Sequence, residues 1–388
     1  MLTIFSAAAF AHNDPDDAEL FRTPEVRPAT AYSKYDVEKL QSILLEALPA
    51  PNGEKTFVFA YFALPDGDAP KGGFPAVVLQ HGNTDTCFPM IAKKWRDRGY
   101  AVISYDHYGN LPETSAHFMK RPVVAESLQA KLNKKFNSDA PNLLRIWERN
   151  IWCCASSACT FLRSQKEINP DRIFLIGVSL GAANGLFTAA RDPRFAGYVC
   201  CYGCGFFDHS TVIGLYGKDG GYVNDPQTVV GKIKMPVLWI VGVNDFAFSQ
   251  INWQMSVDHT LSTDNQACIP GLTHGGWAAN YPLACRWIDH LCGRDSALPK
   301  LGRNILRQNR AFAPILNPGD GITRAQLCYT LESRINHETV WKTLPATVEN
   351  SQVSAELPAG TTAYFFTATD RDYPDIDMPV SSPFTQVK

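Results

Sequence analysis

Residues 172–190 read "RIFLIGVSLGAANGLFTAA". An apolar run, Ile173 to Ile176, enters a Gly177-Val178-Ser179-Leu180-Gly181 turn and leaves it as a string of small residues. The run predicts a buried strand and the string a closely packed helix, with Ser179 on the sharp elbow between them. Such an elbow needs small residues on both sides, because the turn is tight and its central residue sits in strained backbone. Gly177 and Gly181 meet that need, and Ala182 and Ala183 let the helix approach the sheet. The helix amino end also favours negative charge developing at the serine. The other reading is a nucleotide-binding turn. That would need Gly-x-Gly-x-x-Gly early in the fold, with an acid about 20 residues on. "GVSLGAANG" does not match and lies mid-chain.

The surroundings extend the strand–helix alternation. Apolar runs occur at 76–82 ("AVVLQHG"), 101–107 ("AVISYDH"), 197–203 ("GYVCCYG"), 237–245 ("VLWIVGVND") and 266–274 ("QACIPGLTH"). Helical patterns fall between or after them at 90–99, 142–165, 181–192 and 283–293. Near-continuous apolar strands separated by helices indicate a mostly parallel sheet covered on both faces. Ahead of it, residues 42–65 form two apolar segments around Asn52-Gly53, a hairpin pattern whose first arm also has helical spacing from Asp36. Residues 206–234, rich in Gly, Asp and Tyr, read as a loop or cap over one end of the sheet. Beyond about residue 300, short β-prone runs replace helices and suggest a β-sandwich-like module. The predicted organisation is a lead-in at 1–35, an α/β domain at 36–298 and an all-β module at 299–388.

In an open parallel sheet, ligands gather at the carboxyl ends of the strands. The chemistry-bearing residues fall there. A serine hydroxyl needs a base to take its proton, and the base needs an acid to fix its tautomer. His274 follows the last candidate strand in a Gly-flanked loop, and Asp245 ends "VLWIVGVND". The order is Ser179, Asp245, His274, the order of α/β-hydrolases. An acyl-transfer site also needs two donors for an oxyanion. The backbone N–H of Leu180 follows the serine, and that of Asn83 lies in the loop after an early strand, "VVLQHGNTD". Tyr108, Phe246 and Trp277 fall in the same loops and are candidate pocket-lining residues.

Together, "HGNTD", "YDHYGN", "DRIFLIGVSLGAANG", "YGCGFF", "VLWIVGVNDFAF" and "LTHGGW" resemble the acetylxylan-esterase-like, dienelactone-hydrolase-like group of α/β-hydrolases over residues 40–295. The resemblance implies an α/β-hydrolase fold, a Ser179–His274–Asp245 triad with donors at Asn83 and Leu180, and hydrolysis of carboxylic esters, often acetyl groups on plant polysaccharides. No cofactor and no metal are expected. Two positions depart from the best-defined xylan deacetylases: Leu180 stands where they carry Gln, and Ala stands at the second small position after the elbow, where Gly is frequent. The neighbouring readings are a prolyl-oligopeptidase-like peptidase, a polyester or lipid esterase, and a carbohydrate-binding protein on a hydrolase scaffold.

Composition limits the partners. The 388 residues carry a net charge of −2 with acids and bases mixed, so no basic stripe points to nucleic acid. No apolar run reaches the roughly 20 residues that span a bilayer. The eleven cysteines, several in or beside apolar runs, read as buried thiols. Cys201-x-x-Cys204 has no second pair at zinc spacing. "MLTIFSAAAFAHND" has an apolar stretch and an Ala-Phe-Ala pattern but no basic start. It reads either as the remnant of a secretory signal or as an apolar lead-in, which leaves secreted, periplasmic and cytoplasmic locations open. The expected partner is a small-molecule or polysaccharide ester.

Overall fold

The computed structural model describes residues 21–117, 120–133, 141–207, 224–374 and 376–387. Nine strands form one sheet: β1 (Val26–Pro28), β2 (Gln41–Glu46), β3 (Phe57–Ala63), β4 (Phe74–Gln80), β5 (Ala101–Tyr105), β6 (Ile168–Val178), β7 (Gly197–Cys201), β8 (Val237–Gly242) and β9 (Thr263–Ile269). Their order is β1-β2-β3-β5-β4-β6-β7-β8-β9. The first three run antiparallel, and β3 meets β5 antiparallel. From β5 to β9 every pairing is parallel. The apolar runs account for this. Every residue of β3, β4, β5, β7 and β8 is buried, as strands covered on both faces must be.

Helices α1 (Pro89–Asp97), α2 (Leu128–Leu132), α3 (Pro141–Arg163), α4 (Leu180–Arg191), α5 (Gln250–His259) and α6 (Pro282–Leu291) flank the sheet. Four of them coincide with sequence-predicted helices. Helix α5 was not foreseen, because polar Asn252, Gln254 and Ser256 are buried beside Trp253 and no apolar stripe marks one face. Its start is nevertheless conventional: the Ser249 hydroxyl caps the N–H of Asn252. Five tryptophans, Trp95, Trp147, Trp239, Trp253 and Trp287, are almost wholly buried. All eleven cysteines are buried free thiols.

The chain crosses from β4 to β5 on one side and returns to β6 on the other. A crevice opens where the direction reverses, outside the carboxyl ends of β4 and β6. Residues 208–223, most of the predicted cap, lie outside the described residues, as does the apolar start at 1–20. The end of the cap segment forms two short 3₁₀ turns, Pro226–Thr228 and Val230–Lys232.

After α6 the chain builds two antiparallel five-stranded sheets from ten strands between Lys300 and Gln386. They form the expected sandwich-like module. The module docks along β9, the edge of the large sheet: Cys268 N donates to Ser381 Oγ at 2.9 Å and Gln266 Nε2 to the Ser382 carbonyl at 3.0 Å.

Candidate active site

Ser179 bridges β6 and α4 in left-handed backbone, φ 57° and ψ −122°. For a side chain with a Cβ that conformation costs on the order of 1–3 kcal/mol, so the surroundings must hold it. They do so at both ends: Ser179 N donates to the Cys201 carbonyl at 2.8 Å, and its own carbonyl accepts from Ala183 N at 3.0 Å. The flanking glycines are required by close approach. A Cβ at Gly177 would stand 2.7 Å from Ala182 Cα, and one at Gly181 would overlap the carbonyls of Gln80 and His81. Helix α4 therefore rests directly on the end of β4.

Ser179 is the residue before α4, yet its side chain does not cap the helix. Its hydroxyl turns instead to His274, with Oγ and Nε2 2.8 Å apart. His274 Nδ1 donates to Asp245 Oδ2 at 2.7 Å. The other oxygen of Asp245 accepts N–H groups from Ala247 at 2.8 Å and Phe248 at 2.7 Å. With its carboxylate buried and every oxygen engaged, Asp245 has one orientation open to it, and it fixes Nδ1–H as the His274 tautomer. Nε2 then faces the serine as an acceptor. Tyr202 supports the imidazole from beneath, ring centroids 4.6 Å apart, and its hydroxyl donates to the Thr273 carbonyl at 2.7 Å. Three residues from three strand ends thus converge on one hydrogen-bonded line.

The first N–H groups of α4, Leu180 among them, have no intrahelical acceptor by the geometry of a helix start. Across the crevice lies the loop after β4. His81 is fully buried; its Nδ1 donates to the Gly82 carbonyl at 2.7 Å, and its Nε2 accepts from His107 N at 3.2 Å. That bond fixes the Gly82–Asn83 peptide plane, and with it the direction of the Asn83 N–H. The Tyr108 hydroxyl donates to Asn83 Oδ1 at 3.1 Å from the other side. Burial holds the His81 and His107 imidazoles neutral by lowering their pKa values.

A cavity of about 340 Å³ surrounds Ser179 and His274, walled by Asn83, Asp85, Val178 and Phe246. Residues 59–269 match the model of the dienelactone hydrolase family. The chain belongs to that family. The chain is similar to YtaP of Bacillus subtilis (strain 168), named as a hydrolase, at 28% identity over 214 residues. That match covers 50% of this chain and 65% of YtaP, so the chain spans less than two thirds of that relative's length. Among solved structures, an acetyl xylan esterase from Paenibacillus sp. R4 superposes with a TM-score of 0.50 at 15% identity, covering 71% of this chain and 92% of that one. Acetyl xylan esterase 1 from Thermoanaerobacterium sp. JW/SL YS485 gives 0.50 at 16%, covering 71% and 93%. Identities this low speak for the α/β-hydrolase fold, into which this dienelactone hydrolase family member falls.

The aromatic candidates divide. Phe246 is 55% exposed, lies on the cavity wall and packs at 5.0 Å against His274. Trp277 is 59% exposed and lines an adjoining cavity of about 390 Å³, with Lys94 Nζ over its ring. Tyr108 corrects the expectation of a pocket-lining role. It is 2% exposed, packed edge-on against His107, and acts behind Asn83. Its hydroxyl found a partner in the loop, where a sequence shows only an aromatic near a strand end. Asp85 was missed. It lines both cavities. Burial raises its pKa, with the charges of Arg121 and His274 pulling the other way. An acid in "HGNTD" was visible; the direction of its side chain was not.

Proposed function

We propose that this hydrolase is a serine carboxylic-ester hydrolase working through an acyl-enzyme, with small acyl groups on carbohydrate as its substrates. The observation that carries the reading is the line from Ser179 Oγ through His274 to the buried Asp245, 2.8 and 2.7 Å long. In this mechanism His274 Nε2 takes the Ser179 proton as Oγ attacks the ester carbonyl. Asp245 stabilises the imidazolium without itself being protonated. The N–H groups of Leu180 and Asn83 receive the oxyanion. One such donor is worth about 3–4 kcal/mol to the transition state. His274 then gives its proton to the departing alcohol. Water, deprotonated by the same imidazole, attacks the acyl carbonyl and returns Ser179. The acetyl and carbohydrate part of the reading is supported by the shared fold of the two acetyl xylan esterases.

The test is Ser179→Ala with 4-nitrophenyl acetate, acetylated xylan and acyl chains of increasing length. The variant is expected to lose at least about 10⁴-fold in kcat/KM. The wild-type protein is expected to prefer acetyl over longer chains. Near-wild-type turnover by the variant removes the serine mechanism. Faster cleavage of dipeptidyl anilides than of aryl acetates removes the ester preference.

A further inference from the structure

We propose that Asp85 selects the charge of the substrate's alcohol part, so that the site takes esters of uncharged, hydroxyl-bearing alcohols and turns away those carrying a carboxylate. This rests on the ester-hydrolase reading above. Ser179 Cβ and Asp85 Oδ2 lie 3.1 and 3.2 Å from one and the same point, the position a Gly82 Cβ would occupy. A carboxylate oxygen therefore stands on the same side of the Gly82 backbone as the reacting serine, close to it. Of the described residues around the Ser179 cavity, Asp85 and His274 carry the ionisable side chains, and Asp85 is the one acid among them.

The adjoining cavity shows which part of a substrate meets this charge. Both cavities have Asp85 in their wall, and the second is lined mainly by apolar groups, Cys87, Phe88, Met90, Ile91 and Trp277 among them. With a small acyl group at Ser179, the larger alcohol part passes Asp85 to reach that surface. A hydroxyl there donates to the carboxylate; a second carboxylate is repelled across a partly desolvated gap. Arg121 acts from the side of the second cavity, and its charge favours the ionised form of Asp85. It lines the second cavity alone, where its guanidinium donates to the backbone carbonyls of Asp85 at 2.6 Å and Glu113 at 3.2 Å.

The experiment compares three aryl acetates at pH 8, differing only in the para group of the phenol: carboxylate, carboxylic methyl ester and trimethylammonium. Asp85→Asn is expected to raise the carboxylate-to-methyl-ester ratio of kcat/KM about tenfold and to lower the trimethylammonium ratio. Unchanged ratios in an Asp85→Asn protein that turns over the methyl ester overturn the proposal. If that variant does not fold, the wild-type protein decides. Its carboxylate ratio is expected to rise about threefold between 20 and 500 mM salt as the repulsion is screened, and a flat ratio overturns the proposal. Ser179→Ala separates the two readings. Loss of all three activities leaves the serine mechanism standing whatever the ratios show, whereas retained activity removes both.

Discussion

Asp106 and the stacked imidazoles of His81 and His107 form a buried ionisable group directly under the Asn83 loop. The two rings lie 3.7 Å apart, and His81 Nε2 stands 3.8 Å from Asp106 Oδ2. Burial pushes the Asp106 carboxyl up to about 6, against the pull of bonds from Thr86, Asn110 and Tyr108. A folded-state pKa above the unfolded value means that folding holds a proton which the unfolded chain releases. Asp106 therefore destabilises the fold as pH rises from about 4 to 6, by up to about 3 kcal/mol once the rise is complete. The histidines act in the opposite sense: their depressed values cost stability as pH falls below about 6.5. Asp106→Asn keeps an oxygen for the N–H groups of Tyr108 and Asn110, now at 3.0 and 2.9 Å, and removes the charge. Its Tm is expected to exceed that of the wild-type protein at pH 8 and to approach it at pH 4. Thermal melts across that range check this; a larger gain at pH 4 contradicts it. None of this was legible in "YDHYGN". A sequence shows two histidines and an aspartate near strand ends, but their burial, and so their charge state, depends on what packs around them.

At the scale of elements, the contact between α4 and β4 sets the site. Gly181 lets the first turn of α4 lie against the last carbonyls of β4. Those carbonyls are backbone and cannot move aside as a side-chain end would. Gly181→Ala is expected to lift the helix from the strand and to cost about 1–3 kcal/mol in stability. It also shifts Ser179 relative to the Asn83 loop, so kcat/KM is expected to fall by about 100-fold or more. A variant with unchanged Tm and full activity rules out the close-packing account. The glycines, the strands and the order of Ser179, Asp245 and His274 were readable because tight turns and apolar runs leave local marks. Helix α5 left none: its buried face is largely polar and makes long-range bonds such as the 2.8 Å contact from Phe384 N to Gln254 Oε1. That partner lies 130 residues away along the chain, beyond the reach of any local pattern.

The whole molecule is held together by a charged clamp where α6 meets the β module. Arg286 on α6 is buried, and its guanidinium donates to both oxygens of Asp370 at 2.7 Å, to Ser296 Oγ at 2.9 Å and to the Ala297 carbonyl at 2.9 Å. Arg371, beside Asp370, reaches back to both oxygens of Asp295 at 2.9 Å. Its guanidinium holds the Asp295 carboxyl down at about 2. A buried ion pair of this kind adds little over a well-packed apolar pair, but breaking it leaves an unpaired charge inside. Arg286→Met strands the Asp370 carboxylate, itself almost wholly buried, and is expected to destabilise the protein by about 3–5 kcal/mol. Arg286→Met combined with Asp370→Leu removes both charges and is expected to recover most of that loss. Among the described residues, the Ser179–His274–Asp245 line shares no hydrogen bond with this clamp. Aryl acetate turnover at 25 °C is therefore expected to survive in every variant that stays folded. Melting curves of the two single variants and the double variant form the cycle. A double variant as unstable as the sum of the singles would show that the pair is not coupled.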